Sequence, residues 1–147
     1  MRPPRFSAAS SFHSDLKLRI KNYFTEKNLN QTGNFSLYFK AILLVCAYIA
    51  TYVVLVFFTP HWAIALAGCV LLGALASAIG FNVMHDGAHG SFSKKSWVNE
   101  LAGVSINFLG ANVFMWKTKH NVVHHSFTNI DEVDDDMNAR PFLRLCP

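Results

Sequence analysis

The sequence predicts an all-α membrane protein: a transmembrane helical hairpin, an interfacial or re-entrant helix, and cytoplasmic helices that carry histidines. Two long uncharged runs, 41–58 and 62–84, follow one another, and a shorter apolar run covers 101–116. Apolar residue types make up 52% of the chain and charged residues only 15%, which is more apolar than an average soluble domain. Five of the seven histidines lie in two short boxes, one after the second run and one after the third.

The first two apolar runs are each long enough to cross a bilayer as a helix. At about 1.5 Å per residue, 41–58 measures roughly 27 Å and 62–84 roughly 34 Å, close to the hydrocarbon thickness of a membrane. Pro60 lies in the short break between them, and the second run is rich in small residues that permit close helix packing. A buried hairpin of a soluble protein is the alternative, but little else in the chain can cover so much apolar surface.

The basic residues predict the orientation of this hairpin. Seven of the thirteen Lys and Arg fall in residues 1–40, Lys94 and Lys95 follow the second run, and the break at 59–61 has neither. By the positive-inside rule the N-terminus and the first histidine box are cytoplasmic. The basic residues form no dense stripe with interleaved aromatics, so we expect a lipid bilayer and no nucleic acid as partner.

Residues 1–36 are predicted to be a cytoplasmic tail with an amphipathic helix, and 37–147 a single histidine-bearing domain. Ser14 is a plausible N-cap of that helix, whose apolar face includes Leu16 and Ile20. A basic amphipathic helix of this kind rests on a membrane surface or packs against protein, and the sequence does not separate the two.

The third run, 101–116, differs from the other two because it is short and contains polar residues. If it crossed the membrane, the second histidine box would lie on the opposite face from the first, and one metal centre could not use both. We therefore expect an interfacial or re-entrant segment that returns to the cytoplasmic side. A short true span with unrelated histidines is the alternative.

The two boxes have the spacing of metal ligands. They supply the candidate ligands His85, His89, His120, His124 and His125. Residues four apart on a helix share a face, so each box can direct two imidazoles at one ion. Imidazole suits Fe, Zn, Cu or Ni, and four of the five nitrogens would satisfy a structural zinc. Adjacent His124 and His125 diverge by about 100° on an α-helix, which suits two metals better than one.

The boxes and their flanks resemble the membrane fatty acid desaturases. H-D-G-A-H at 85–89 resembles the first histidine box of that family, and H-N-V-V-H-H at 120–125 looks like the second. The resemblance covers roughly residues 33–147 and is closest to the acyl-lipid and acyl-CoA branch that includes linoleoyl-CoA desaturase-like enzymes. The agreeing flanks are Gly80–Met84, Trp116–Lys119, Thr128–Ile130 and Asp134–Asp136.

The resemblance implies an enzyme with two iron ions that uses O2 to place a cis double bond in an acyl chain. The five box histidines would be iron ligands, and Asp86 and Asn121 would orient them. The implied partners are an acyl-lipid or acyl-CoA substrate and a separate electron donor of cytochrome b5 or ferredoxin type. A run of acids such as 131–136 is usually a solvated loop, but Asp134–Asp136 match a family position, which implies a structural role near the site and not a role as ligands.

The chain departs from the family pattern in one respect. Family members carry a third box of H/Q-x-x-H-H type after another hairpin, and these 147 residues contain none. We therefore expect 37–147 to be the N-terminal part of a desaturase domain, inactive in isolation. The alternatives are a related histidine-box hydroxylase and a non-catalytic, truncated metal-binding membrane protein.

Overall fold

The computed structural model describes residues 11–58, 61–130, 132–134 and 136, and every regular element in that part of the chain is helical. The predicted all-α class is therefore confirmed for the described residues. Two of these elements are π-helical turns, each continuous with the α-helices on either side of it. In chain order the elements are α1 (Ser11–Glu26), α2 (Phe35–Phe57), α3 (Trp62–Ile79), π1 (Gly80–Met84), α4 (His85–Ala88), α5 (Ser96–Phe108), α6 (Val113–Lys117), π2 (Thr118–His124) and α7 (His125–Phe127).

The chain divides into two compact units. One is Thr32–Val113, which contains α2 to α5 and the first histidine box. The other combines Met1–Gln31 with Phe114–Pro147 and contains α1, π2 and the second box. Each box is thus built within its own unit, and each is described separately below.

In the described part of the chain, two helices are long and apolar enough to cross a membrane: α2, with 23 residues, and the continuous helix Trp62–Ala88, with 27. Only 6% of each hydrophobic window is buried inside the protein. The apolar side chains lie on the outside instead, where Val70 is 69% exposed and Phe81 is 77% exposed. Apolar surface of this extent on the outside of a protein marks contact with lipid or with a partner, which supports membrane association.

Both helices extend beyond the predicted runs. The first begins at Phe35 because Asn34 caps it: the Asn34 side-chain oxygen accepts a hydrogen bond from the Leu37 N–H at 3.1 Å. The added turn contains Lys40, whose ammonium donates to the side-chain oxygen of Asn82 in π1 at 2.8 Å. The second helix starts at Trp62 as predicted, but it continues through π1 to Ala88 and so includes most of the first box.

The predicted interfacial segment 101–116 is not one element. The structure starts α5 at Ser96 and ends it at Phe108, and α6 begins only at Val113. The break contains Gly110, whose φ of +92° is accessible to glycine but strained for other residues. The early start follows from the helical periodicity of the buried residues, which are Asn99, Ala102, Gly103 and Ile106. A search for uncharged runs overlooks this periodicity, because the charged residue Glu100 lies within it.

A small core lies between α2, the end of α3 and α5. Its buried members are Ala41, Ile79, Val83, Phe92 and Ala102. Tyr38 of α2 packs edge-on against Phe92 with ring centroids 5.3 Å apart. Phe92 belongs to the loop that follows the first box, so the same core that joins α2 to α5 also anchors this loop.

Gly87, in the middle of the first box, is where α4 crosses α5. A Cβ atom at this position would lie 2.6 Å from the Ala102 Cβ and the Gly103 N, and 2.8 Å from the Asn99 carbonyl oxygen. Two of these atoms belong to the α5 backbone and cannot rotate away. The glycine of the box is therefore required by helix packing, and it brings the backbone of the histidine helix against α5.

Asn99 on α5 holds the loop that leaves the first box. Its buried side chain accepts a hydrogen bond from the Ser93 N–H at 2.7 Å and donates to the carbonyls of Ser93 and Gly90, at 2.8 and 3.2 Å. Gly90 has a φ of +72° and turns the chain directly after His89. The Gly33 N–H donates to the Ser91 carbonyl at 3.2 Å and ties the same loop to the start of α2.

The N-terminal helix differs from the prediction at its start. Ser14 lies inside α1 and does not cap it, because the helix already includes Ser11; the Ser14 hydroxyl donates to the Ser11 carbonyl at 2.8 Å. No residue of α1 is buried. The amphipathic pattern of this helix thus leaves Leu16 and Ile20 on its outer surface, 42% and 48% exposed.

The crossing at Gly87 predicts a large effect of one methyl group. Gly87→Ala should lower the free energy of unfolding by about 1–3 kcal/mol, because the added Cβ overpacks against the α5 backbone. Gly73→Ala is the matched control: a Cβ there meets nothing within 4 Å, and alanine favours the helix. Denaturant titration in mixed micelles measures both, and equal stability of the two variants would contradict the close crossing.

The contacts of Asn99 predict a local effect on the loop. Asn99→Ala leaves the Ser93 N–H and two carbonyls without their partner, at a cost of about 1–3 kcal/mol. Amide hydrogen exchange at Ser93 should therefore accelerate roughly tenfold or more. The control, Asn107→Ala, removes an exposed contact on the same helix, to the Val113 N–H at 2.9 Å, and should change exchange only there. A similar response at Ser93 in both variants would refute the role of Asn99.

Candidate metal centre

The helix that carries the first histidine box widens just before it. In π1 the backbone N–H of His85 donates to the carbonyl of Gly80, five residues back instead of four. His85 then opens α4, and His89 ends it with a hydrogen bond from its N–H to the His85 carbonyl at 3.0 Å. The two imidazole centroids are 4.5 Å apart. The structure thus brings the two histidines of this box side by side.

The second box also has a widened turn, which here lies within the box itself. At the end of π2 the backbone N–H of His125 donates to the carbonyl of His120. Ring centroids are 4.9 Å apart for His120 and His124, 4.9 Å for His120 and His125, and 5.3 Å for His124 and His125. In an α-helix a residue five positions on points about 140° away. The wider turn is what places His125 beside His120.

Two carboxylates contact the rings of the second box. The Asp136 Oδ2 lies 2.7 Å from the His120 Nδ1. Both oxygens of Asp134 lie 2.9 Å from the His124 Nδ1. Donor atoms of His120, His124 and Asp136 all lie within 4.8 Å of one another, which is the spacing of a group able to hold a metal ion.

Asp134 is the most enclosed of these groups. Its side chain has no accessible surface, and besides His124 it accepts the backbone N–H groups of Asn129 and Asp136 at 3.0 and 3.2 Å. Burial on its own would raise the pKa of the Asp134 carboxyl. The hydrogen bond and charge of His124, together with the two backbone N–H groups, outweigh burial and hold this pKa below its ordinary value.

The burial of Asp134 fits the structural role near the site that the resemblance implies for Asp134–Asp136. A run of acids is usually solvated, whereas the Asp134 side chain is buried against His124. No spacing rule pairs it with His124, ten residues earlier, because the return of the loop onto the helix is a tertiary feature. Asp86 and Asn121, which were expected to orient the ligands, are placed differently from Asp134. The Asp86 Oδ1 is 3.7 Å from the His85 Nδ1, longer than a hydrogen bond. Asn121 lies half-buried within π2.

The histidines outside the boxes lie elsewhere on helices. His61 is the N-cap of α3, where its Nδ1 accepts the Ala63 N–H at 3.4 Å and its ring lies against Trp62. His13 lies on the exposed helix α1. The capping contact gives His61 a structural role, in line with its exclusion from the predicted ligands.

Comparisons with known proteins support the family that the two histidine boxes resemble. A sequence model of the family described as fatty acid desaturase matches residues 60–145, more than half of the chain. The chain is 33% identical to an sn-1 linoleoyl-lipid 6-desaturase of Arthrospira platensis, over 97% of this chain and 39% of the relative. It is 30% identical to an enzyme of the same name from Synechocystis sp., over 97% of this chain and 40% of the relative.

A third relative carries a different desaturase name. The chain is 31% identical to an acyl-lipid (8-3)-desaturase of Physcomitrium patens, over 88% of this chain and 27% of that protein. The chain therefore spans about two fifths, or less, of the length of these three relatives. No solved structure matches it. The matched residues include both histidine boxes, and the chain belongs to the fatty acid desaturase family.

Proposed function

We propose that this protein is an O2-dependent fatty acid desaturase whose residues 37–147 carry part of the di-iron site. The observation that carries the proposal is the clustering of imidazoles in each box, where the ring centroids of neighbouring histidines lie 4.5 to 5.3 Å apart. The relatives are named as desaturases of acyl lipids, which supports an acyl chain as substrate.

The residues present fit iron. The proposed ligands are the five box histidines His85, His89, His120, His124 and His125. Imidazole nitrogen is a suitable donor for iron, and a metal-binding histidine ordinarily gives its other ring N–H to a carboxylate or carbonyl, as His120 and His124 do here. With two iron ions bound, the centre would supply the oxidation of an unactivated C–H bond, which no amino-acid side chain can perform.

The overall reaction balances with an external reductant. A –CH2–CH2– unit of the acyl chain loses two hydrogen atoms and becomes a cis double bond. O2 takes up these two hydrogens together with two electrons and two protons, and leaves as two water molecules. The additional electrons come from a separate donor of cytochrome b5 or ferredoxin type, with an acyl-lipid or acyl-CoA as substrate.

This function requires a particular placement in the membrane. We infer that α2 and the helix Trp62–Ala88 form a transmembrane hairpin with both ends cytoplasmic, supported by their length, by their exposed apolar surface and by Lys94 and Lys95 after the first box. α5 has 13 residues, roughly 20 Å, and is too short to cross the hydrocarbon core. We infer that α5 and α6 remain at the cytoplasmic face, so that both boxes lie on one side.

Product analysis tests the reaction type. The complete open reading frame that contains these residues should be expressed in a host with a matching electron donor, and its fatty acids analysed by mass spectrometry. We expect a new alkene, two mass units lighter than its parent acid, that requires O2. An alcohol at the same carbon would identify a hydroxylase instead, and no O2-dependent product despite a supplied reductase would favour a non-catalytic metal-binding protein.

The division between box and non-box histidines gives a second test, in the same full-length protein. His124→Ala should abolish activity and lower bound iron, because a proposed iron ligand is lost. Membrane insertion should stay intact, because His124 lies outside the two apolar helices. His61→Ala is the matched control and should change both quantities little, since that ring caps α3. Iron per polypeptide and product yield are the measurements. Equal losses in the two variants would remove the basis for the ligand assignment.

A further inference from the structure

We propose that Asp134 and Asp136 are positioning residues of the second box, which hold His120 and His124 with Nδ1–H toward the loop and Nε2 toward iron. The inference rests on the proposed function, since it concerns the ligands of that metal site. It gives a specific role to residues for which the resemblance implies only a structural role near the site.

The surroundings of Asp134 show that the loop is folded around its carboxylate. Burying a charge is costly unless it is paired and hydrogen-bonded. Here the carboxylate accepts the ring N–H of His124 and the backbone N–H groups of Asn129 and Asp136. Asn129 adopts a left-handed φ of +67°, which turns the chain so that its N–H faces the carboxylate. The loop thus presents a fixed acceptor to one ring nitrogen.

The Asp136 Oδ2 and the His120 Nδ1 are 2.7 Å apart, which is a hydrogen-bond distance. The same oxygen is 4.0 Å from the His124 Nδ1. Asp136 therefore serves His120, and Asp134 serves His124.

These two contacts determine which ring nitrogen is a ligand. An imidazole that donates from Nδ1 has its lone pair on Nε2, and the carboxylate increases the basicity of that nitrogen. In the first box the Asp86 Oδ1 is 3.7 Å from the His85 Nδ1, longer than a hydrogen bond. The loop that follows the second box supplies both of the carboxylate contacts described here.

The experiment measures metal affinity and ring tautomer in the full-length protein. Apo-protein is titrated with Fe(II) under anaerobic conditions against a chromogenic chelator, and 15N shifts of labelled histidine report which ring nitrogen carries the proton. Asp134→Asn and Asp136→Asn should each weaken Fe(II) binding about 10- to 100-fold and reduce the population of the Nδ1–H form. Asp134→Glu should recover part of the affinity.

The control is Asp15→Asn, which removes the same charge from the exposed Arg19 pair on α1 and should leave both readouts unchanged. Should Asp134→Asn fail to fold, Asp136→Asn still tests the proposal, since that side chain is 36% exposed. Wild-type affinity and tautomers in Asp136→Asn, or in both variants, overturn the inference and leave the proposed function intact. A wild-type protein that binds no Fe(II) overturns both.

Discussion

A widened helical turn lies directly before the first histidine box and within the second, where the arrangement of the imidazoles depends on it. A regular α-helix aligns residues four apart but turns a fifth away. In π1 and π2 the terminal N–H, from His85 and His125, reaches back five residues. π-helical turns are rare and concentrate at functional sites. Here π2 brings the three rings of the second box together, so that the adjacent His124 and His125 both lie beside His120.

The two boxes are stabilised in different ways. The first is held by backbone packing: Gly87 lets α4 lie directly on α5, and Asn99 fixes the loop that follows. The second is held by charge, because Asp134 and Asp136 contact its rings. Side chains held in a fixed orientation favour metal binding. Packing at Gly87 and Asn99 restrains the backbone around the first box, and the two carboxylates restrain two rings of the second.

Sequence patterns predicted the long elements well and the local ones poorly. The uncharged runs located both long helices, because the length and hydropathy of a run can be read directly from consecutive residues. They missed the true start of α5 at Ser96, because its buried stripe includes polar Asn99 and is interrupted by Glu100. They also missed both π-helical turns, because a search for uncharged runs does not detect where a helix widens.

The sequence by itself determined the family, the apolar helices and the five candidate ligands, because each depends on residue type and spacing alone. The tertiary structure decided how those ligands are presented. It showed that Gly87 is fixed by the backbone of another helix, and that Asp134 is buried against His124. Both contacts join residues ten or more positions apart, and the free energy of such a contact depends on how the chain returns on itself.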